Sequence, residues 1–185
     1  ASIKAMVETL EAGAITKKHI ALDFLHRVHQ EVDRLSNIVD DLLELSKIEN
    51  AGQELQKTKV DLKKLTLDVI ATLEQRLSKA GIEISVKADM QEIFALGDAS
   101  KLRQVIFNLI DNAIKYTPDD GVINVSMKHS TNPNEEAKVE FSVIDKGEGI
   151  SDEHLAHLFE RFYKANRSRR NSGTGLGLAI AKHII

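Results

Sequence analysis

The 185-residue chain has no cysteine and no tryptophan, only two prolines, and aromatic residues make up 4% of it. Without cysteine there are no disulfides and no thiolate metal sites, and the composition suits a reducing compartment. No apolar run reaches membrane-spanning length and no signal-peptide pattern opens the chain. Charge of one sign is also missing: 25 Lys and Arg stand against 28 Asp and Glu, for a formal net charge of -3. Such a balance gives no broad attraction to nucleic acid or to an anionic surface, so no nucleic-acid partner is expected and any partner is recognised locally. Apolar residues are plentiful, at 42%, enough over this length to bury a core in one large domain or two small ones.

From Thr16 to about Glu49 there is neither Gly nor Pro, and Leu25, Val28, Val32, Leu35, Val39 and Leu42 alternate spacings of three and four. That is the heptad seam of a coiled coil or helix bundle. The preceding "SIKAMVETLEAG" reads as a helix stopped at Gly13, so residues 1–50 form a helical hairpin. One hairpin buries little. Two bury their seams against each other as a four-helix bundle, which predicts a homodimer.

Residues 51–59 read as a polar linker, and from residue 60 to 185 the pattern is mixed. Asp61 can cap a helix running to about Ala80, "IEISVKA" and "EIFAL" alternate as strands, and Asp98 can cap a helix ending in "NLIDNAIKYTP". "GVINVSMKHS" and "AKVEFSVID" follow as an antiparallel pair. The second half is therefore α+β, with helices on one face of a sheet.

Three segments carry chemistry. In "NLIDNAIKYTP", Asn108, Asn112 and Lys115 fall on one stripe of the helix, apart from the apolar stripe of Leu102, Ile106, Leu109, Ile110 and Ala113. "DKGEGI", Asp145 to Ile150, places a carboxylate at a strand end beside two glycines, where backbone can turn tightly or let a flat ligand approach. "SGTGLGLAIAK" opens an apolar helix with Gly173, Gly175 and Gly177, and free N–H groups at such a start favour an anion such as phosphate. A dinucleotide-binding turn is excluded because "KANRSRRNS", not an apolar strand, precedes it, and a Walker loop is excluded because no Gly-Lys-Ser/Thr follows. Singly, each segment is also compatible with an ordinary amphipathic helix or loop.

Together and in this order they resemble the sensor histidine kinases of two-component signalling, whose ATP-binding fold is shared with DNA gyrase and MutL. "NLIDNAIKYTP" is similar to the family's N box, "DKGEGI" to its first glycine box, "LFERFYK" to its phenylalanine box and "GTGLGL" to its second glycine box, while "EVDRLSNIVDDLLELSKIE" is similar to its second dimerisation helix. The resemblance implies a dimeric four-helix bundle followed by an α/β-sandwich ATP-binding domain of the Bergerat type. It implies Mg2+ held with ATP through Asn108 and Asn112, hard oxygen ligands that suit this ion. Lys115 and Tyr116 would meet phosphate or nucleoside, and Asp145 would accept the adenine amino hydrogens. Gly147, Gly149 and Ile150 would line the nucleotide, and Phe159 and Phe162 would anchor a lid carrying Arg167, Arg169 and Arg170. Gly173, Thr174, Gly175, Leu176 and Gly177 would form the phosphate loop.

By resemblance, gyrase- and MutL-like ATPases and the related serine kinases have Glu four residues before the metal-binding Asn, where this chain has Asn108. An amide cannot act as a general base, which suits a nucleophile needing none, such as a neutral imidazole. The family's phosphoacceptor histidine is expected upstream of Ala1, so His19, His26 and His29 are expected to be solvated, and further strands are expected after residue 185. The resemblance also implies a cognate response regulator as partner. It implies a full-length protein anchored in the bacterial cell membrane, with this region cytoplasmic. An ATP-binding regulatory module, or a dimerisation module without phosphotransfer, is the alternative.

Overall fold

The computed structural model describes residues 2–50, 56–130, 138–165 and 173–185. The first helix, α1 (Ile3–Glu11), starts where the Ser2 hydroxyl accepts the Ala5 N–H at 3.3 Å. It stops at Gly13, whose φ of +117° turns the chain through a short 3-10 segment, Ala14–Thr16, into α2 (Lys18–Asn50). Met6 and Leu10 of α1 and Ala21 of α2 are buried in the resulting hairpin. Most of the predicted seam stays open: Leu25, Val32, Leu35, Val39 and Leu42 are each at least 40% exposed in the single chain. A contiguous exposed apolar stripe of this kind marks an interaction surface. His19, His26 and His29 are exposed on α2, and His29 meets Asp33 at 3.5 Å one turn along.

The second half builds two sheets. In the larger, β2 (Glu83–Ala88) runs parallel to β4 (Val122–His129), and β4 is antiparallel to β5 (Val139–Ile144). The smaller pairs β1 (Thr58–Asp61) with β3 (Phe94–Gly97). Strand β1 begins inside the stretch 51–59 that the sequence reads as linker. It is short, and Thr58 and Lys59 are exposed; what holds it is the ladder to β3 and the Lys59 ammonium 4.0 Å over the Phe94 ring, both made with residues far along the chain.

Helices α3 (Leu62–Ala80) and α4 (Ala99–Tyr116) begin at Asp61 and Asp98, as expected, with α3 ending on Gly81 in the left-handed region. Leu65, Val69, Leu73 and Leu77 of α3 and Ile106, Ile110, Ala113 and Ile114 of α4 enclose one core with Ile123, Val125 and Met127, alternate residues on the inner face of β4. The fold of this half is α+β with both helices on that face. Short α5 (Asp152–Leu155) follows β5, and α6 (Gly177–Ile184) packs on α4. Among the described residues no helix is long and apolar enough to cross a membrane.

The start of α4 depends on a charged cap. The Asp98 carboxylate accepts the Ser100 hydroxyl at 2.7 Å and the N–H groups of Ser100 and Lys101 at 2.9 and 3.2 Å. These bonds, the Ser100 hydroxyl foremost, hold its pKa below the ordinary 3.8. A lowered carboxyl pKa contributes stability that is present above 3.8 and is lost as pH falls through the folded value. Asn caps nearly as well but does not titrate. Urea melts of the native chain and Asp98→Asn should therefore show a margin favouring Asp98 near neutrality that shrinks below pH 3.8. A margin constant with pH would remove the charge from this account.

Candidate functional site

The last two turns of α4 present two faces to different neighbours. Its apolar residues enter the core, while Asn108 looks toward α6, where its amide nitrogen donates to the Gly177 carbonyl at 3.0 Å. A carbonyl only accepts, so this bond fixes which end of the amide is nitrogen and turns Oδ1 to the other side. Gly177 permits the approach: a Cβ there would stand 3.3 Å from Asn108 Cγ and Oδ1. Asn112, one turn on, is half-buried, and its side chain makes no hydrogen bond among the described residues.

Lys115 lies on the same stripe, with Nζ 2.5 Å from Asp111 Oδ2. A Cβ on Gly173 would lie 3.2 Å from that same Nζ, so the lysine reaches the opening of the glycine loop. Asp111 is buried at 8% exposure, and its other oxygen pairs with Arg76 of α3. Neither Asp111 nor Arg76 was singled out from the sequence. The four-residue spacing of Asp111 and Lys115 could have flagged the first; nothing local flags the second.

Asp145 follows β5, and its Oδ1 accepts the Gly147 N–H at 2.8 Å. This closes a tight turn against the end of α4, where a Cβ on Gly147 would stand 2.7 Å from the Tyr116 carbonyl oxygen. Asp145 is exposed, and no other partner of its carboxylate is found among the described residues, which leaves Oδ2 able to accept. Gly149 has φ +76° in open space, and Ile150 and Tyr116 are exposed beside it in sequence and at the end of α4.

The phenylalanine segment is clasped by the glycine loop. Phe162 takes φ +63°, rare for an aromatic residue, and its N–H donates to the Gly175 carbonyl at 3.0 Å. Gly175 itself has φ +79°, and Lys182 of α6 places its ammonium 5.3 Å over the Phe159 ring. Phe159 and Phe162 are otherwise about half exposed. Arg167, Arg169 and Arg170 lie outside the described residues.

The loop also touches the hairpin. The Thr174 hydroxyl donates to Asp41 Oδ2 of α2 at 2.7 Å and accepts the Leu176 N–H at 3.2 Å. Beside them Leu45 of α2 is buried with Leu176 and Ile180. Cations also gather nearby: the Lys164 ammonium has a pKa pushed below its usual value, first by burial and then by the charges of Arg34 on α2 and Lys115 on α4. Two amides, a carboxylate acceptor and converging cations around a glycine loop suit a polyanion carrying a base with an amino group.

Known proteins resemble this chain in sequence and fold. Residues 97–185 match the family profile "Histidine kinase-, DNA gyrase B-, and HSP90-like ATPase", and residues 1–51 match "His Kinase A (phospho-acceptor) domain". Sensor histidine kinase WalK of Bacillus subtilis (strain 168) is 32% identical over 186 residues, covering 100% of this chain and 30% of that protein. The chain thus spans about a third of the length of the curated relatives it matches. Among solved structures, histidine kinase ThkA in complex with response regulator protein TrrA superposes with a TM-score of 0.72 at 25% identity, covering 99% of this chain and 51% of that one. Full-length ShkA in complex with AMPPNP gives 0.70 at 29% identity, covering 89% and 33%.

Two glycines of the site separate backbone strain from crowding. Gly149→Ala adds only the left-handed penalty, about 1–2 kcal/mol. Gly175→Ala adds the same penalty, and its Cβ would also meet Phe162 C at 2.8 Å and Cα at 2.9 Å, backbone atoms that cannot swing away. Denaturant melts should rank Gly175→Ala as the more damaging, and equal losses would mean that the Phe162 contact does not hold the loop.

Proposed function

Because this chain belongs to the sensor histidine kinases of two-component signalling, we propose that residues 1–185 form part of the kinase core of such a protein. In this reading ATP binds between α4 and the glycine loop. Its γ-phosphoryl group passes to a histidine of the dimerisation hairpin and from there to an aspartate of a response regulator. The observation that carries the reading is the junction of Asn108 with Gly177 and of Lys115 with Gly173, which brings an amide-and-amine stripe against a glycine loop some 60 residues away in sequence. That ThkA is known in complex with a response regulator, and ShkA with AMPPNP, supports the partner and the nucleotide by similarity.

Mg2+ fits the donors present. The bond to Gly177 leaves Asn108 Oδ1 as an acceptor, and Asn112 adds a second amide one turn on. Two neutral oxygens are a weak set by themselves, and among the described residues no group of three or more His, Cys, Asp or Glu could hold a metal. An ion here would be shared with the triphosphate and keep several waters, as Mg2+ commonly does. It would supply charge neutralisation on the phosphates.

The protein's own part is positioning. Asp145 Oδ2 accepts the adenine amino group, where guanine would present a carbonyl oxygen. Lys115 and the N–H groups of the glycine loop hold the phosphates, and the positive field of Arg34, Lys115 and Lys164 favours their approach. No carboxylate stands at position 108 to take a proton, so the attacking group must react without first giving one up. A neutral imidazole does so, attacking the γ-phosphorus in line as the bond to the β-phosphate oxygen breaks and ADP leaves. In this reading the imidazole belongs to the phosphoacceptor position of a dimerisation hairpin, and His19, His26 and His29, which stand exposed on α2, are not that position. The open seam of α2 closes by homodimerisation, and by family likeness the whole protein is a membrane-anchored sensor with this region in the cytoplasm.

Calorimetry should find Mg-ATP preferred to Mg-GTP, with Asp145→Asn weakening ATP by about tenfold or more as a charged acceptor is lost. Equal affinity for the two nucleotides would sink the adenine assignment. With labelled ATP, the chain should phosphorylate a separately supplied dimerisation hairpin bearing the acceptor histidine, and Asn112→Ala should abolish the label. Acid-labile phosphate on His19, His26 or His29 would move the acceptor.

Dimerisation is tested apart from catalysis. Val32 and Leu35 are 45% and 48% exposed at mid-seam, and replacing both with Lys puts unpaired charge into the interface. Sedimentation should show dimer for the native chain and monomer for the double variant; a native chain that stays monomeric at high concentration would refute the bundle.

A further inference from the structure

Asp111 is the one charged residue among the buried positions of α4, which are otherwise Val105, Ile106, Ile110, Ala113 and Ile114. Burying a carboxylate is costly unless it is paired, and Asp111 is paired twice, by Arg76 from α3 on Oδ1 and by Lys115 on Oδ2. An ordinary helix-surface pair of Asp and Lys four residues apart needs neither the burial nor an arginine from another helix. The site as read above uses Lys115 and leaves both Asp111 and Arg76 without a task.

We propose that Asp111 is a positioning residue for phosphate binding, holding the Lys115 ammonium against the mouth of the glycine loop while Arg76 neutralises the carboxylate so that the lysine's charge remains available to the nucleotide. The inference rests on the ATP-binding reading and goes beyond it. The three side chains, two cations and one anion, sum to +1. Without Arg76, Asp111 and Lys115 would cancel, and an incoming triphosphate would have to compete with a full ion pair. With Arg76 in place, one N–H of Lys115 is spent on Asp111 and two remain for phosphate oxygens. The geometry supports this direction, since Nζ stands within 3.2 Å of where a Gly173 side chain would begin. Lys115 also lies near enough to Lys164 for its charge to help depress that lysine's pKa, behind burial and Arg34.

The decisive measurement is the affinity ratio of Mg-ATP to adenosine, because only ATP brings phosphates to Lys115. By calorimetry on the full chain, Asp111→Asn and Lys115→Met should each shrink that ratio about tenfold, with adenosine affinity held within about twofold. If Asp111 acts through Lys115, adding Asp111→Asn to Lys115→Met should cost nothing further. Arg76 is half-exposed, so Arg76→Met should fold even if Asp111→Asn does not; it should lower the ratio, and Arg76→Lys should restore most of it. Equal loss of adenosine and ATP binding in Asp111→Asn, an undiminished penalty in the Lys115→Met background, or an unchanged ratio in Arg76→Met would each overturn the inference. Failure of the native chain to bind adenosine or ATP would overturn the nucleotide reading itself, whereas native binding with any of the preceding three results would overturn only the role of Asp111 and Arg76.

Discussion

The hydrogen bond from Asn108 to the Gly177 carbonyl is the joint on which the site depends. It joins the buried helix α4 to the first residue of α6, and so fixes the glycine loop just before it. Because α4 has its apolar face locked between α3 and β4, the loop inherits the rigidity of the core rather than that of a surface turn. The same bond orients the amide so that its oxygen is left over. One contact therefore sets both the position of the glycine-loop backbone and the acceptor beside it.

Elements made by local rules were legible in the sequence. The seam of α2, the caps Asp61 and Asp98, the stop at Gly13 and the alternating strand β4 follow from periodicity and from backbone chemistry within a few residues, and the structure has each of them. What was not legible is held by distant partners. Strand β1 is polar and short and exists through β3; Arg76 is an ordinary helical arginine until α4 brings Asp111 to it; Asp41 is one of many acidic residues on α2 until Thr174 arrives. Propensity and pattern have no access to pairings of this kind, which are set only when the chain has folded.

The glycine loop answers to two masters. Its glycines and free N–H groups suit an anion, while Thr174 at its centre is bound to Asp41 of the hairpin and Leu176 is buried with Leu45. A hydroxyl donates one hydrogen at a time, so the Thr174 bond to Asp41 withholds that donor from phosphate for as long as it lasts. One backbone donor is engaged as well, since the Leu176 N–H is held by the Thr174 oxygen at 3.2 Å. In this docked arrangement an anion would be met by the loop's other N–H groups, while its side-chain donor belongs to the hairpin.

Why the hairpin meets the nucleotide half at this point can be read from the seam itself. Its spacings run three, four, three, four, three from Leu25 to Leu42, so the next bundle position would be 46, which is Ser46. Instead the buried apolar residue comes one place early, at Leu45, whereas the intervening Leu43 is 56% exposed; two successive spacings of three, from Val39 through Leu42, swing Leu45 about a quarter-turn away from where the seam would continue. Leu45 is buried at 1% exposure, while Leu42 before it remains 40% exposed. The helix thus changes partners where its heptad breaks. Above the break its apolar stripe faces outward. At the break it turns to Leu176 and Ile180, and Asp41, four residues before Leu45 and on the same face, is brought to Thr174. A single displaced leucine is what couples the long hairpin helix to the glycine loop.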